Sequence, residues 1–502
     1  MVAPVLWWVR NTLRLADNPP LVAALELANA AGVGVIPVFV WPTNSSDLWP
    51  RGAASRWWLH HSLGAFQQSL QAKGSTLIVR SAPTSQEALL ALVAETGATH
   101  VVTDERLEPA IVTETTAIQE ALKQAGASLH VVPNANHLLD VSAIKNLQGK
   151  AYQVFTPFYK NALTLPRAEV LAAPSAIPAP SAWPMSESVD ALGLLPTISW
   201  DTTMGTTWTP GEQGSPQVLN QFLTGGLSKY LDQRDLPALD IGEGVSGLSP
   251  YLHFGEISPR QIADAVRHKV ANEGRALNRS EEGYLRQLVW REFAHHLLVH
   301  FPTTPTQPLR PEFSAYPWAD ESLPETQEQL KRWQQGQTGY PLVDAGMRQL
   351  WATGWMHNRL RMVVGSFLVK HLRIHWLRGA EWFWDTLVDA DLPNNTLGWQ
   401  WIAGCGADAA PYFRVFNPIT QSKKFDAQGD YIRRWVPELA GVSAQWIHCP
   451  WEAPPLELLK AKVTLGKTYP YPIVDHTTAR DCALEGYEAV KRESASLKAS
   501  AG

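Results

Sequence analysis

Along the first part of the chain, short apolar runs at 5–9, 35–40, 76–79, 100–103 and 129–132 alternate with helical patterns. The helical stretches are LVAALELANAA, SRWWLHHSLGAFQQSL, SQEALLALVAET and TTAIQEALKQAG. Strand and helix in strict rotation predict a parallel sheet with helices on both faces, an α/β (Rossmann-like) domain over residues 1–133. Residues 134–215 read as an interdomain linker, because 165–215 is rich in Pro, Ala, Ser, Thr and Gly without period (APSAIPAPSAW, DTTMGTTWTPGEQG). Beyond it the period becomes helical in QVLNQFLTGGLSKYLDQRD, PRQIADAVRHKVANEG, YLRQLVWREFAHHLLVHF, ETQEQLKRWQQG, LVDAGMRQLWATG and RMVVGSFLVKHL. This predicts an all-α domain over 216–490 and a short tail at 491–502, a fraying helix end with no room for a signalling module. There is no internal repeat.

A chain of 502 residues exceeds what one core supports, which agrees with two domains. Apolar residues at 45% and charged ones at 18% are ordinary for a globular protein, but 22 tryptophans are not. Such a surplus means large flat surfaces for packing or stacking. The formal net charge of −5 means that any nucleic-acid binding must come from a local basic patch. Cys405, Cys449 and Cys482 lack CxxC spacing, which argues against a disulfide framework, a zinc ribbon or an all-cysteine iron–sulfur cluster. We expect a reducing, cytoplasmic setting, with no signal peptide, no membrane span and no metal site. A Gly-x-Gly at 32–34 ends a helix and precedes a strand, the reverse of the dinucleotide fingerprint.

Chemistry concentrates at 339–425, where tryptophans interleave with Asp, Asn, Arg and His. Charged residues are rarely buried without partners, so the mixture suits a pocket for a large, flat, charged cofactor. In VSGLSPYLHFGEISP (245–259) a small-residue turn leads into a helix, and its N–H groups with the Ser246 and Ser249 hydroxyls could grip a pyrophosphate. A helix cap is the plain alternative. Arg361 with Asp389 and Asp391, at the end of the apolar run WFWDTLVDADL, is a candidate buried polar site rather than a solvated salt bridge.

Five separated segments run in order across the chain: LRLADNPPL, VFTPFYK (154–160), QRDLPALD with SGLSPYLHFGEISPRQ, LVWREFAHHL, and the stretch ending DAAPYFRVFNP. They resemble the signatures of the DNA photolyase/cryptochrome family. The resemblance implies an N-terminal antenna domain and a helical domain holding FAD in a U-shape. It places Tyr230, Val245, Ser246, Gly247, Leu248, Ser249, Tyr284, Arg291, Arg361, Asp389, Ala390 and Asp391 at FAD contacts. The family usually has Thr where Val245 stands. Asn395, although Pro393-Asn394-Asn395 would suit a turn, falls where the family faces flavin N5. An amide there supports a reduced flavin without supplying a proton.

On the substrate side, Trp290 and Trp401 match the family's two stacking tryptophans, Met362 its pocket methionine, and Asn358 and Arg359 a backbone contact. A photolyase-like mechanism needs the damaged dinucleotide flipped out of the duplex into a flat-walled slot. WMHNRLRM lacks the paired histidines of the (6-4) branch, so a cyclobutane pyrimidine dimer is the implied substrate. Gln287 stands where dimer-repairing members commonly carry Glu. Arg414, Gln421 and Lys424 match DNA contacts, with Lys423, Arg433 and Arg434 nearby as solvated charges. Trp399 and Trp376 match the first two members of an electron relay; for the third, ungapped counting lands on Leu323 and Trp318 lies slightly upstream.

SRWWLHHSL and TDERLEP occupy antenna positions, and the class III-like pattern close to plant cryptochromes favours methenyltetrahydrofolate over a deazaflavin. The expected function is light-driven dimer repair on UV-damaged DNA by a monomer that uses FAD, with no obligate protein partner. The alternatives are a cryptochrome-type photoreceptor and a light-independent flavin oxidoreductase. The lack of HExxH, GxSxG and Walker patterns agrees with a reaction that needs no metal or nucleophile.

Overall fold

A computed structural model describes residues 3–44, 47–409 and 413–500. The five expected strands form: β1 (Val5–Val9), β2 (Val35–Pro42), β3 (Ile78–Ala82), β4 (His100–Asp104) and β5 (Ser128–Val132). They pair in parallel in the order β3-β2-β1-β4-β5, with Val5 opposite both Val35 and His100. The expected β3 (76–79) lies two residues too early at its start. The alternating helices are α1 (Pro19–Ala31), α2 (Ala53–Gln71), α3 (Ser85–Thr96) and α4 (Pro109–Gln124). Their ends follow local chemistry. Asn18 caps α1 by accepting from Leu21 N ahead of two prolines, and left-handed Gly32 (φ 67°) ends it. Leu6, Ile36, Val38, Ile78, Leu89, Val101 and Ile118 are buried together on one face of the sheet.

The Gly-x-Gly at 32–34 has a structural use. A Cβ on Gly34 would come within 2.3 Å of Pro180 N, because the linker backbone presses against the turn. The linker also covers the outer edge of β3: Glu187 N donates to Val79 O (3.0 Å), and Glu187 Oε1 accepts from Ser81 N (2.8 Å). An exposed strand edge is thereby satisfied.

By Cα proximity the chain forms two compact units. The first is Met1–Ser228 with Ser246–Pro302 and Val388–Asp391; the second is Lys229–Val245, Thr303–Leu387 and Leu392–Gly502. The first thus takes in the Pro259–Asn272 and Arg279–His300 helices. Both begin with capping boxes, Ser258 with Gln261 and Asn278 with Glu281.

Within the first unit, LRLADNPPL serves as a staple. Arg14, fully buried, donates to Asp17 O (2.6 Å), Ala135 O (2.8 Å) and Gly255 O (2.8 Å). Asp17, at φ 49°, accepts from Arg260 Nε (3.0 Å) and from the Ser258 hydroxyl. Two signatures far apart in sequence are therefore locked by one buried ionic network.

The second unit is helical: Pro324–Gln334, Pro341–Thr353, Asn358–Ser366, Trp376–Thr386, Leu392–Ala403 and Pro418–Phe425 are its main helices before His476–Ser500. The expected continuous helix through RMVVGSFLVKHL changes instead to a π-helical turn at Phe367–His371. The tail expected at 491–502 continues the last helix as far as Ser500. Among the described residues no helix is long and apolar enough to cross a membrane, no His/Cys/Asp/Glu group could hold a metal, and the three cysteines are unpaired.

Candidate functional site

The Arg279–His300 helix sets much of the site. Tyr284, Gln287 and Arg291 are spaced at i, i+3 and i+7 and so share a face, with Trp290 beside them. Trp290 stacks on Phe155 of VFTPFYK at 3.6 Å between centroids and 8° between planes. Arg286 lies over the Phe155 and Tyr159 rings. The signature that sequence reading left without a task thus backs the candidate stacking tryptophan. Its signal was the Phe-x-x-Phe-Tyr spacing, which reads as plain packing until its partner is known. Gln287 Nε2 donates to Gly283 O at 3.3 Å, which leaves Oε1 as the available acceptor.

The same unit holds the small-residue turn. Gly247 takes φ 68°, Leu248 precedes the short helix Ser249–His253, and Ser246 Oγ accepts from Leu248 N (3.4 Å). Ser249 Oγ donates to Asp389 Oδ2 at 2.6 Å. Asp389, Ala390 and Asp391 lie beyond the end of the Trp376–Thr386 helix, in the segment Val388–Asp391. Tyr284 is buried against Phe222 (4.6 Å), and Arg291 Nη1 donates to Asn136 O (2.8 Å) and Glu292 Oε1 (3.1 Å). Burial works against ionisation of Asp391, yet His295, His253 and Arg291 outweigh it and hold the carboxyl well below the usual carboxylate range.

The other predicted residues belong to the second unit. Tyr230 is buried, with Arg234 over its ring at 5.7 Å, and Val245 O accepts from Gly242 N (2.7 Å). Arg361 Nε donates to Met356 O (2.9 Å). Asn395 is not in a turn: it lies in the first turn of the Leu392–Ala403 helix, and its Nδ2 donates to Ala380 O at 3.0 Å. That bond fixes the amide's orientation.

Trp399 is buried, 4.9 Å from Phe383 and 6.3 Å from Trp333. Trp376, also buried, adjoins His375 (5.6 Å), which touches half-buried Trp318 edge-on at 4.8 Å. Trp333 is fully buried and donates Nε1 to Val364 O (3.0 Å).

Asn358 is exposed at the start of its helix, where His357 Nδ1 accepts from Arg359 N. Arg359 pairs with Asp235 (2.9 Å) and covers Phe425, and Met362 is half-buried. Trp401 donates Nε1 to Asp408 O (3.1 Å) and lines a cavity with Arg310, Lys370, Phe413 and Arg414. Arg414 and Lys424 are exposed beside Phe416 and Phe425, and Gln421 Oε1 is buried without a hydrogen bond among the described residues. Arg433 is spent on the Ala440 and Val442 carbonyls and Arg434 on Asp240. Residues 410–412 of DAAPYFRVFNP lie outside the described residues.

The donor set of the first unit fits FAD. Ser246 and Arg291 are donors suited to a pyrophosphate, while Asp389 and Asp391 are acceptors suited to the N–H groups of a flavin or ribose hydroxyls. A parallel-sheet domain followed by a helical half with this donor set defines a two-part flavoprotein.

The comparisons with known proteins agree. The profile for DNA photolyase matches residues 5–181, and that for the FAD binding domain of DNA photolyase matches 284–489. The deoxyribodipyrimidine photo-lyase of Agrobacterium fabrum is 43% identical, with 98% of each chain covered. Cryptochrome-2 of Arabidopsis thaliana is 38% identical over 94% of this chain and 77% of its own. A bacterial class III photolyase from Agrobacterium tumefaciens superposes with a TM-score of 0.91 at 43% identity, covering 98% of both chains. The chain belongs to the DNA photolyase/cryptochrome family, and its helical half is an FAD-binding domain.

Proposed function

We propose that this protein repairs cyclobutane pyrimidine dimers in DNA, driven by light. The observation that carries the reading is the Arg279–His300 helix, which sets the flavin candidates Tyr284 and Arg291 beside the substrate candidates Gln287 and Trp290, the last held flat on Phe155. Reduced FAD, when bound and excited, supplies the electron that splits the dimer. The chain's own residues do the rest. Trp290 and Trp401 each offer a flat indole to a flipped base, and Gln287 Oε1 accepts from a thymine N3–H. Asn395, its amide held by Ala380 O, brings no ionisable proton to its surroundings. Arg414, Gln421 and Lys424 meet the phosphate backbone, so binding weakens with salt. Trp399, Trp376 and Trp318 relay electrons toward the flavin site.

The test is dimer content in a UV-irradiated oligonucleotide, in light and in darkness, with reduced holoprotein. Loss of dimers in light alone is expected. Dimers that persist in light with reduced flavin bound would favour the photoreceptor reading, and turnover in darkness with a nicotinamide donor the oxidoreductase.

We place the second chromophore at the carboxyl ends of β1 and β4, where the strand order reverses, the position at which doubly wound sheets bind ligands. Asp104, 1% exposed, has both carboxylate oxygens without a hydrogen bond among the described residues, and the Arg106–Glu108 ion pair and Arg10 flank it. A buried carboxylate wants donors, and the amino-pyrimidinone edge of a pterin offers two side by side. This favours methenyltetrahydrofolate over a deazaflavin. Chromophores released by denaturation and separated by absorbance decide it. A monomer in the cytoplasm completes the reading.

A further inference from the structure

Behind Asp391 the first unit carries a cluster of titratable groups, of which only Arg291 is used above. Arg291, Glu292 and His295 come from the Arg279–His300 helix, His137 from the segment after β5, and His253 from the end of the short helix Ser249–His253. His295 Nδ1 lies 2.9 Å from the Arg291 carbonyl oxygen. A carbonyl only accepts, so Nδ1 carries the ring proton and, in an uncharged ring, Nε2 is bare. That nitrogen faces Asp391 Oδ2 at 3.7 Å. Two acceptors thus confront each other across a gap wider than a hydrogen bond, and a proton added at Nε2 would make the contact a charge-assisted one.

The surroundings are poised the same way. His253 Nδ1 stands 3.9 Å from the same Oδ2, and neither of its ring nitrogens makes a hydrogen bond among the described residues. His137 Nδ1 is 3.4 Å from Glu292 Oε2, and its ring meets that of His295 edge-on at 4.6 Å. The charged and titratable groups facing His295 are therefore Asp391, Arg291, His137, Glu292 and His253. Among these Arg291 is the permanent cation, set against two carboxylates, and its Nη1 is already shared by Glu292 and Asn136; the Arg106–Glu108 pair also acts on Asp391.

We propose that His295 takes up a proton when negative charge is added next to Asp391, so that reduction of the bound flavin is coupled to protonation of this imidazole. The inference rests on the reading of Asp391 as a flavin contact. The electrons come from an external reductant and stay on the cofactor. The proton comes from water or buffer, goes to His295 Nε2 and returns to solvent on reoxidation, so charge and atoms balance. Burial pushes His295 down to about 4. Added negative charge acts the other way, and the ring is empty at neutrality and ready to fill.

The test is a potentiometric titration of the flavin in holoprotein at a series of pH values, with dithionite as reductant. For a two-electron couple, a tenfold change in proton concentration moves the midpoint by about 30 mV for each proton taken up. Wild type is expected to fall by about 30 mV more per pH unit than His295→Gln, from about pH 4 up to the value at which the ring titrates in the reduced protein. Asp391→Asn is measured alongside. Equal slopes, with a shifted midpoint in Asp391→Asn, overturn the coupling and leave Asp391 as a flavin contact. Equal slopes with no shift in Asp391→Asn overturn both. Should His295→Gln fail to fold, ¹⁵N NMR of histidine-labelled wild-type holoprotein decides: one imidazole becoming doubly protonated on reduction supports the coupling, and an unchanged histidine spectrum overturns it.

Discussion

Gln287 commits its amide nitrogen to the helix backbone and keeps a neutral acceptor for whatever faces it. A carboxylate in its place would accept with charge, and hydrogen bonds to charged groups are worth roughly 1 kcal/mol more than neutral ones. Gln287→Glu is therefore expected to raise dimer affinity or repair yield by about fivefold, read in single-turnover repair of an irradiated oligonucleotide. The 3.3 Å bond to Gly283 that it forfeits is long and only partly buried, so stability should barely change. An unchanged or lower yield would mean that this side chain does not touch the dimer. Asp17 offers a contrast at the same scale. Its left-handed backbone (φ 49°) suits Asn as well as Asp, so Asp17→Asn isolates the charge. Removing it strands Arg260, 5% exposed, and breaking a buried pair in this way costs about 3–5 kcal/mol. Urea unfolding is the measurement, and a cost under 1 kcal/mol would contradict the staple.

Between helices, geometry rather than residue type carries the constraint. A Cβ on Gly379 would fall 2.0 Å from the Trp399 ring, so the Trp376–Thr386 helix lies directly against the indole. An aromatic ring cannot bend away, and overpacking of this kind costs about 1–3 kcal/mol. Gly379→Ala is expected to displace Trp399 from Phe383 and to slow flavin photoreduction at least tenfold, followed by absorbance under blue light. Gly398→Ala, beside Trp399 in sequence but with nothing within 4 Å of its new methyl, should leave the rate unchanged. Equal rates in all three proteins would remove Trp399 from the relay. This scale also explains what could be read beforehand. The five strands were legible because apolar runs bounded by turns write themselves into sequence, and the flavin and substrate candidates because their motifs are contiguous. The clasp between Trp290 and Phe155, the His295–Asp391 confrontation and the contact of Gly34 with Pro180 join residues about a hundred or more positions apart. No local period encodes such pairs, and the π-helical turn at Phe367–His371 interrupts a helical pattern that is locally unbroken.

Across the whole molecule, buried titratable groups predict the pH at which the fold is most stable. His296 accepts from Tyr152 N at one ring nitrogen and meets Val141 O with the other, His357 accepts from Arg359 N, and His371 meets His476 at 2.8 Å. Burial pushes His296 and His357 from 6.5 to about 4 and His371 to about 3. For such groups the unfolded chain binds protons first, so their stabilisation is complete above 6.5 and is lost as pH falls toward 4. A fall from 6.5 to about 4 is worth on the order of 3 kcal/mol for each fully buried ring. Glu256 acts in the opposite sense. Burial raises it to about 8 although Trp58, Ser62 and Gly211 N all donate to Oε1, and Oε2 has no partner among the described residues. Its stabilisation is complete below 4.5 and drains away as pH rises to about 8. These three imidazoles, with His295 likewise pushed to about 4, outweigh Glu256 and leave an acid limb steeper than the alkaline one, with the maximum near pH 6.5. Urea midpoints at pH 5, 6.5 and 8 should therefore fall on both sides of 6.5, more sharply toward acid. Glu256→Gln, uncharged at every pH, should flatten only the alkaline limb, and a profile level from pH 5 to 6.5 would show that these rings are not held neutral by the fold.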